Sequence, residues 1–265
     1  MKTILAIAAA AFWACAHAQV PSMDELRAAA ERGEADAQGK LGVMLVTGGP
    51  GVPANRTEGV AWIRKAAQQG SAPAQELLGG MYAEGVVVAR DDAQALLWLR
   101  KAVEQHDANA QVRLAFMYLR GRGVDQDVIE ATRLFGLAAQ QGNPVGQYNL
   151  AISYSEGEGV AAKDDAQAVL WFRKSADQGY ADAQFALGLR HATGRGVPAD
   201  HAEAARWYRK AADQGHARAQ YALALLYGTG QGVPEDMDEA VRLLRLSAQA
   251  GFAPARDGLK RLGKP

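Results

Sequence analysis

The pair Ala-Gln returns along this 265-residue chain on a fixed beat, at Ala37-Gln38, Ala74-Gln75, Ala110-Gln111, Ala183-Gln184 and Ala219-Gln220, with Gly146-Gln147 filling the remaining place. Successive spacings are 37, 36, 36, 37 and 36 residues. A closing glycine keeps the same time at Gly33, Gly70, Gly142, Gly179, Gly215 and Gly251, with His106 standing in once. A period of about 20 to 50 residues marks stacked supersecondary units, because one such unit cannot bury its apolar face alone and needs a neighbour. The period therefore restricts the fold more than any local signal does.

Each unit reads as two helices. Ala219, Leu223, Leu226 and Tyr227 fall on one helical face, and Gly230-Gln231-Gly232 then interrupts the run. Ala204, Trp207, Tyr208, Ala211 and Ala212 make the stripe of a second helix that ends at Gly215. The second helices share a start signal: Asn55-x-x-Glu58, Asp91-x-x-Gln94, Asp127-x-x-Glu130, Asp164-x-x-Gln167, Asp200-x-x-Glu203 and Asp236-x-x-Glu239. These resemble capping boxes, in which the cap accepts from a free N–H and the residue three on reaches back. Trp62, Trp98, Leu134, Trp171, Trp207 or Leu243 follows seven residues after each cap.

Gly42, Gly79, Ala115, Ala151, Gly188 and Ala224 follow the central apolar residue of each first helix, where a small side chain lets the paired helix approach. The pattern predicts an all-α solenoid of six helix pairs, 34–70, 71–106, 107–142, 143–179, 180–215 and 216–251 with a short linker to 254. An N-terminal capping helix over 19–33 and a C-terminal one over 255–265 close a single array. Leu26 to Gly33 reads as a second helix without its first, and Ala255 to Leu262 as a first helix without its second.

The run Ala219-Gln-Tyr-Ala-Leu-Ala-Leu-Leu-Tyr227-Gly-Thr-Gly230-Gln-Gly-Val233 resembles the Sel-one-like repeat (SLR), as does Asp200-His-Ala-Glu-Ala-Ala-Arg-Trp207-Tyr-Arg-Lys-Ala-Ala-Asp-Gln-Gly215. That family is related to tetratricopeptide repeats. The departures are local: Val87 replaces a loop glycine, Gly48-Gly49-Pro50 adds a residue, and Leu134 and Leu243 replace the Trp. The resemblance implies a right-handed superhelix with a concave binding side and work as an adaptor or scaffold. It names no partner.

The first eighteen residues form a separate object. Lys2, the short apolar run Ile4 to Trp13 and Ala16-His17-Ala18 read as a signal peptide cleaved before Gln19, which predicts a periplasmic or secreted protein. Cys15, the only cysteine, falls inside it, and bulky Phe12-Trp13-Ala14 argues against lipidation there. Without Lys2 the chain has 28 basic and 29 acidic residues, so composition predicts neither a nucleic-acid surface nor steering toward anionic lipid. No later segment is apolar enough for a transmembrane helix.

Two other function classes compete with an adaptor. A cell-envelope hydrolase of the β-lactamase type is implied by cysteine-rich relatives, but their cysteine pairs are missing here, as are Ser-x-x-Lys and Lys-Thr-Gly. An endoplasmic-reticulum scaffold would suit the sequon Asn55-Arg56-Thr57 in a eukaryote. No catalytic, cofactor or metal residues are assigned: His106, His191, His201 and His216 lie at or near loops without zinc-hydrolase spacing, and read as solvent-facing. Arg64-Lys65, Arg100-Lys101, Arg173-Lys174 and Arg209-Lys210 read as a solvated, ion-paired face, with a basic stripe for an acidic partner as the alternative.

A protein partner is expected, with an envelope polysaccharide as the other candidate. By analogy with tetratricopeptide repeats, first helices line the concave side. Two positions per repeat then point into it: one row carries Tyr148, Phe185 and Tyr221, the other Phe116, Ile152, Leu189 and Leu225. Earlier repeats place Gly39, Glu76 and Gly80 there, so the C-terminal half is the more apolar. Such a strip suits a peptide segment anchored by apolar side chains. The aromatic row also suits packing between repeats.

Overall fold

The computed structural model describes residues 22–48 and 53–264. The proposed signal peptide, Cys15 and Gly49-Pro50 lie outside the described residues. Among those described there are fourteen helices and no strand. Two compact units divide the chain, Met1–Leu134 and Phe135–Pro265. The first contains α1 (Met23–Glu31), α2 (Ala35–Thr47), α3 (Arg56–Gln68), α4 (Ala72–Glu84), α5 (Asp92–Glu104) and α6 (Ala108–Arg120). The boundary falls inside α7 (Val128–Gln140). The second unit continues with α8 (Pro144–Glu156), α9 (Asp165–Asp177), α10 (Ala181–Thr193), α11 (His201–Asp213), α12 (Ala217–Thr229), α13 (Met237–Gln249) and α14 (Ala253–Arg261). The twelve helices from α2 to α13 all have thirteen residues, and α1 and α14 have nine.

The small residues set how closely the paired helices approach. A Cβ built on Gly188 would lie 2.6 Å from Tyr208 Cδ1, and one on Gly79 would lie 2.7 Å from Leu99 Cγ. In the first pair, Gly42 and Gly59 face one another, each with its hypothetical Cβ 2.7 Å from the other's carbonyl oxygen. Backbone touches backbone there, so neither position has room for alanine. The apolar residues around these contacts, such as Leu41, Ile63, Leu77, Leu99, Leu187 and Leu223, are fully buried.

The caps are only half boxes. Asn55, Asp91, Asp127, Asp164, Asp200 and Asp236 each accept from the N–H three residues on, at 2.9–3.2 Å. The expected reach-back occurs, among the described residues, at Ser22–Glu25 in α1. Elsewhere the cap N–H already donates to a carbonyl of the preceding helix, as Asn55 does to Leu45, Asp91 to Tyr82, Asp200 to His191 and Asp236 to Tyr227. The acid three residues on is thereby free for other partners: Glu203 accepts from Trp207 Nε1 at 2.9 Å, and Glu239 pairs with Arg242 and Arg209.

The repeated glutamine has a purpose that its spacing alone does not disclose. Its Nε2 donates to the carbonyl eight residues back, from Gln38 to Ala30, Gln75 to Ala67, Gln147 to Ala139, Gln184 to Ala176 and Gln220 to Ala212, at 3.0–3.3 Å. Its Oε1 accepts from a second glutamine about thirty residues on, in the pairs Gln69–Gln38, Gln105–Gln75, Gln178–Gln147 and Gln214–Gln184, at 2.7–2.8 Å. A buried amide with both ends satisfied stitches three helices together; left unpaired, it would destabilise them by about 1–3 kcal/mol.

Candidate functional site

The buried Gln and Leu of each first helix fix which residues turn away from the core. In α10, Gln184 and Leu187 are buried, so Phe185 and Leu189 lie together one turn apart on another face. Tyr221 and Leu225 repeat that arrangement on α12. Leu189 is 44% exposed and Leu225 49% exposed, although both are large and apolar. The two pairs wall a groove of about 370 Å³ with Tyr208 of α11 between them and Phe252 also lining it. Phe185 tilts against Tyr208 with ring centroids 5.7 Å apart and stacks on His216 at 4.9 Å; Tyr221 meets Phe252 edge-on at 5.3 Å. These aromatic side chains are therefore packed between repeats and still open on one side to the groove.

The other residues of the two predicted rows lie outside this groove. Tyr148 is half-buried against Phe172 and Tyr180, at 5.6 and 5.3 Å, and burial pushes its hydroxyl pKa up. Ile152 is half-buried in the same cluster. Phe116 belongs to the first unit and is half-buried, with the Arg120 guanidinium 5.4 Å from its ring centroid. At the matching place in the second repeat, Glu76 is buried and paired with Arg113, whose guanidinium occupies the space that a Cβ on Gly80 would fill. Burial pushes the Glu76 carboxyl up, and the charge of Arg113 opposes that shift.

Two expectations need correction. The Arg-Lys pairs of the second helices are solvated as expected, all exposed but half-buried Arg209, yet their partners are chiefly aromatic, Arg209–Glu239 being the ion pair among them in the described residues. Each Lys sits over the Trp three residues before it: Lys65, Lys101, Lys174 and Lys210 lie 3.9–4.8 Å from the ring centroids of Trp62, Trp98, Trp171 and Trp207. Each Arg crosses to the next first helix. Arg64 reaches the Tyr82 hydroxyl, Arg100 that of Tyr118 and Arg209 that of Tyr227, while Arg173 approaches His191 Nε2. Aromatic partners eighteen residues on carried this signal in the sequence. The second correction concerns the histidines. His106 and His201 are exposed, but His191 is buried, and His216 caps α12 by accepting from the Ala219 N–H at 3.1 Å.

Sequence reasoning singled out four of the groove's walls and passed over Tyr208, Phe252 and Arg218, which also line it. Phe252 precedes α14 at the register that Tyr180 and His216 hold 72 and 36 residues earlier, each packed on the aromatic of the preceding first helix, so the period carried a signal for it.

The profile of the Sel1 repeat matches residues 35–71, 72–107, 108–143, 144–180, 181–216 and 217–252. No curated protein matches the chain. Among solved structures, it is similar to a protective antigen present in uropathogenic Escherichia coli strains that displays an SLR fold. That likeness has 37% identity and a TM-score of 0.81, and covers 89% of this chain and 50% of the antigen. The chain thus spans half the length of that relative. It is also similar to a Sel1 repeat protein from Oxalobacter formigenes, at 36% identity and a TM-score of 0.80, over 98% of this chain and 75% of the other. An immunity protein from Pseudomonas aeruginosa shares the fold at 21% identity and a TM-score of 0.56.

Proposed function

This chain belongs to the Sel1 repeat family, an all-helical repeat scaffold, and on that premise we propose that it is an exported adaptor that binds a partner protein through the groove between α10 and α12. The observation that carries the reading is the pair Leu189 and Leu225, about half exposed beside the aromatic side chains of Phe185 and Tyr221. Large apolar side chains left open beside a preformed groove are anchors for association rather than core. Export rests on the charged start, apolar run and small-residue site of the first eighteen residues.

The test is capture by crosslinking from envelope extract, with a Leu189→Ser/Leu225→Ser variant beside the parent. Covering two half-exposed leucines supplies about 2 kcal/mol, or about 30-fold in affinity. One partner lost at that scale, with the melting temperature unchanged, supports the reading. Identical capture by both proteins overturns it. N-terminal sequencing of the exported protein, expected to begin at Gln19, tests the signal peptide separately.

A further inference from the structure

The groove is apolar along its walls but carries charge at its rim, and the sign of that charge bears on what it takes. Arg218, in the first turn of α12, lines the groove and is exposed. Its other polar lining groups are His201, Gln231 and the hydroxyls of Tyr208 and Tyr221, and no carboxylate lines it among the described residues. Arg218 itself has no ion pair there.

Several other cations of this unit are engaged. Lys174 and Lys210 lie over tryptophans, Arg190 and Arg195 hold Asp165, and Arg209 and Arg242 hold Glu239. Arg245, Arg256 and Lys260 of α13 and α14 have no ion pair among the described residues and line a separate pocket. The residue matching Arg218 on α10 is Asp182, and it does not neutralise Arg218 by direct pairing. Its Oδ1 lies 3.1 Å from His216 Nε2. Because His216 Nδ1 accepts the Ala219 N–H, its Nε2 carries the proton that points to Asp182. Arg218 is exposed beside Tyr221 and Phe252, so a carboxylate on it gains the modest energy of a surface ion pair.

Resting on the adaptor reading above, we infer that the groove takes an amphipathic peptide segment of the partner, with apolar side chains between Leu189 and Leu225 and an Asp or Glu side chain on Arg218. The volume, about 370 Å³, is at the small end of the range for ligand clefts and suits side chains rather than a folded domain. Apolar contacts supply the affinity, and the cation sets register and selects sign.

The test is panning of a random dodecapeptide library displayed on phage, fused through its C-terminus so that only side-chain carboxylates are offered. The purified protein is compared with Arg218→Glu, Arg218→Ala and Leu189→Ser/Leu225→Ser variants, each checked by thermal melting. The parent is expected to enrich peptides with Leu or Phe near an Asp or Glu, the acid favoured about two- to fivefold, as an exposed ion pair supplies. Arg218→Ala should remove the acid preference, and Arg218→Glu should turn it toward Lys or Arg. Apolar enrichment without acid preference, or a preference unmoved by Arg218→Glu, would overturn the inference and leave the groove standing. No enrichment dependent on Leu189 and Leu225 would overturn both.

Discussion

Gln220 Oε1 is buried without a hydrogen-bond partner, and Ala250 stands at the register where a donor to it belongs. Gln69, Gln105, Gln178 and Gln214 occupy that register in other repeats, and each donates to the glutamine on the first helix of its own pair. The ladder thus stops one rung short. The backbone at Ala250, with φ −73° and ψ 4°, closely matches Gln69 at −79° and 2°, so a glutamine fits there without rearrangement.

Ala250→Gln should therefore stabilise the protein by about 1 kcal/mol, the net worth of one restored hydrogen bond. Gln214→Ala should do the reverse by about 1–3 kcal/mol, since it leaves Gln184 Oε1 in the state Gln220 now occupies. Urea midpoints would check both. No gain from Ala250→Gln, with the Gln214→Ala loss observed, would mean that Gln220 is already satisfied by solvent.

Val87 and His106 hold left-handed backbone where the repeat uses glycine, with φ of 72° and 62°. A β-branched residue in that region is strained by about 1–2 kcal/mol. Val87→Gly should stabilise its loop by about 1 kcal/mol, and His106→Gly by somewhat less, because glycine also loses more chain entropy on folding. The two sites are separate enough for additivity to be tested in the double variant by thermal melting. A loss of stability in Val87→Gly would show that the packing of Val87 against the core of Leu77, Met81 and Trp98 outweighs its strain.

The contact between Gly188 and Tyr208 leaves no room for a methyl group. Gly188→Ala should destabilise by about 1–3 kcal/mol despite the helix propensity gained, and Gly188→Leu should unfold its repeat. Replacing Tyr208 as well should recover part of the alanine penalty, and a coupling of at least about 0.5 kcal/mol in the double-variant cycle is the measurement that checks it. Strict additivity would remove the close approach as the cause.

How much of this was readable beforehand divides by range. The helix pairs, their starts and the close-approach positions were legible because each depends on residues within one or two turns. Gly188 could be identified from its place after Leu187, and Asp200 from its spacing to Glu203. The reach-back of Glu203 does not form because a competing acceptor, the His191 carbonyl that takes the Asp200 N–H, comes from another helix. The solvation of the Arg-Lys pairs was legible but not their aromatic partners: Lys210 needs only Trp207, whereas Arg209 needs Tyr227 across the repeat. Of the groove, Phe185, Leu189, Tyr221 and Leu225 followed from the helical phase. Phe252 lies off the helical stripe, and its signal was the 36-residue register it shares with Tyr180 and His216 at the starts of first helices.

Asp92 is one of two carboxyls in the first unit, with Glu25, whose pKa is held below the ordinary value among the described residues. Its carboxylate takes Arg90 Nη2 at 2.8 Å and Arg122 Nη2 at 2.7 Å. The hydrogen bond from Arg90, reinforced by Arg122, holds its pKa below the ordinary aspartate value against a smaller opposing effect of burial. A carboxyl with a depressed folded pKa adds stability above its unfolded value near 3.9, and that stability is lost as pH falls through the folded value. Asp92→Asn should therefore lower the urea midpoint at pH 7, by roughly 1 kcal/mol or less for a partly exposed network. The variant and the parent should converge as pH falls from about 5 to below 3, where the parent carboxyl is protonated too. Midpoints at pH 7, 5, 4 and 3 measure this directly. Curves that stay parallel across that range would place the acid response elsewhere, and Glu239, whose pKa the Arg242 hydrogen bond lowers in the second unit, would be the next to replace.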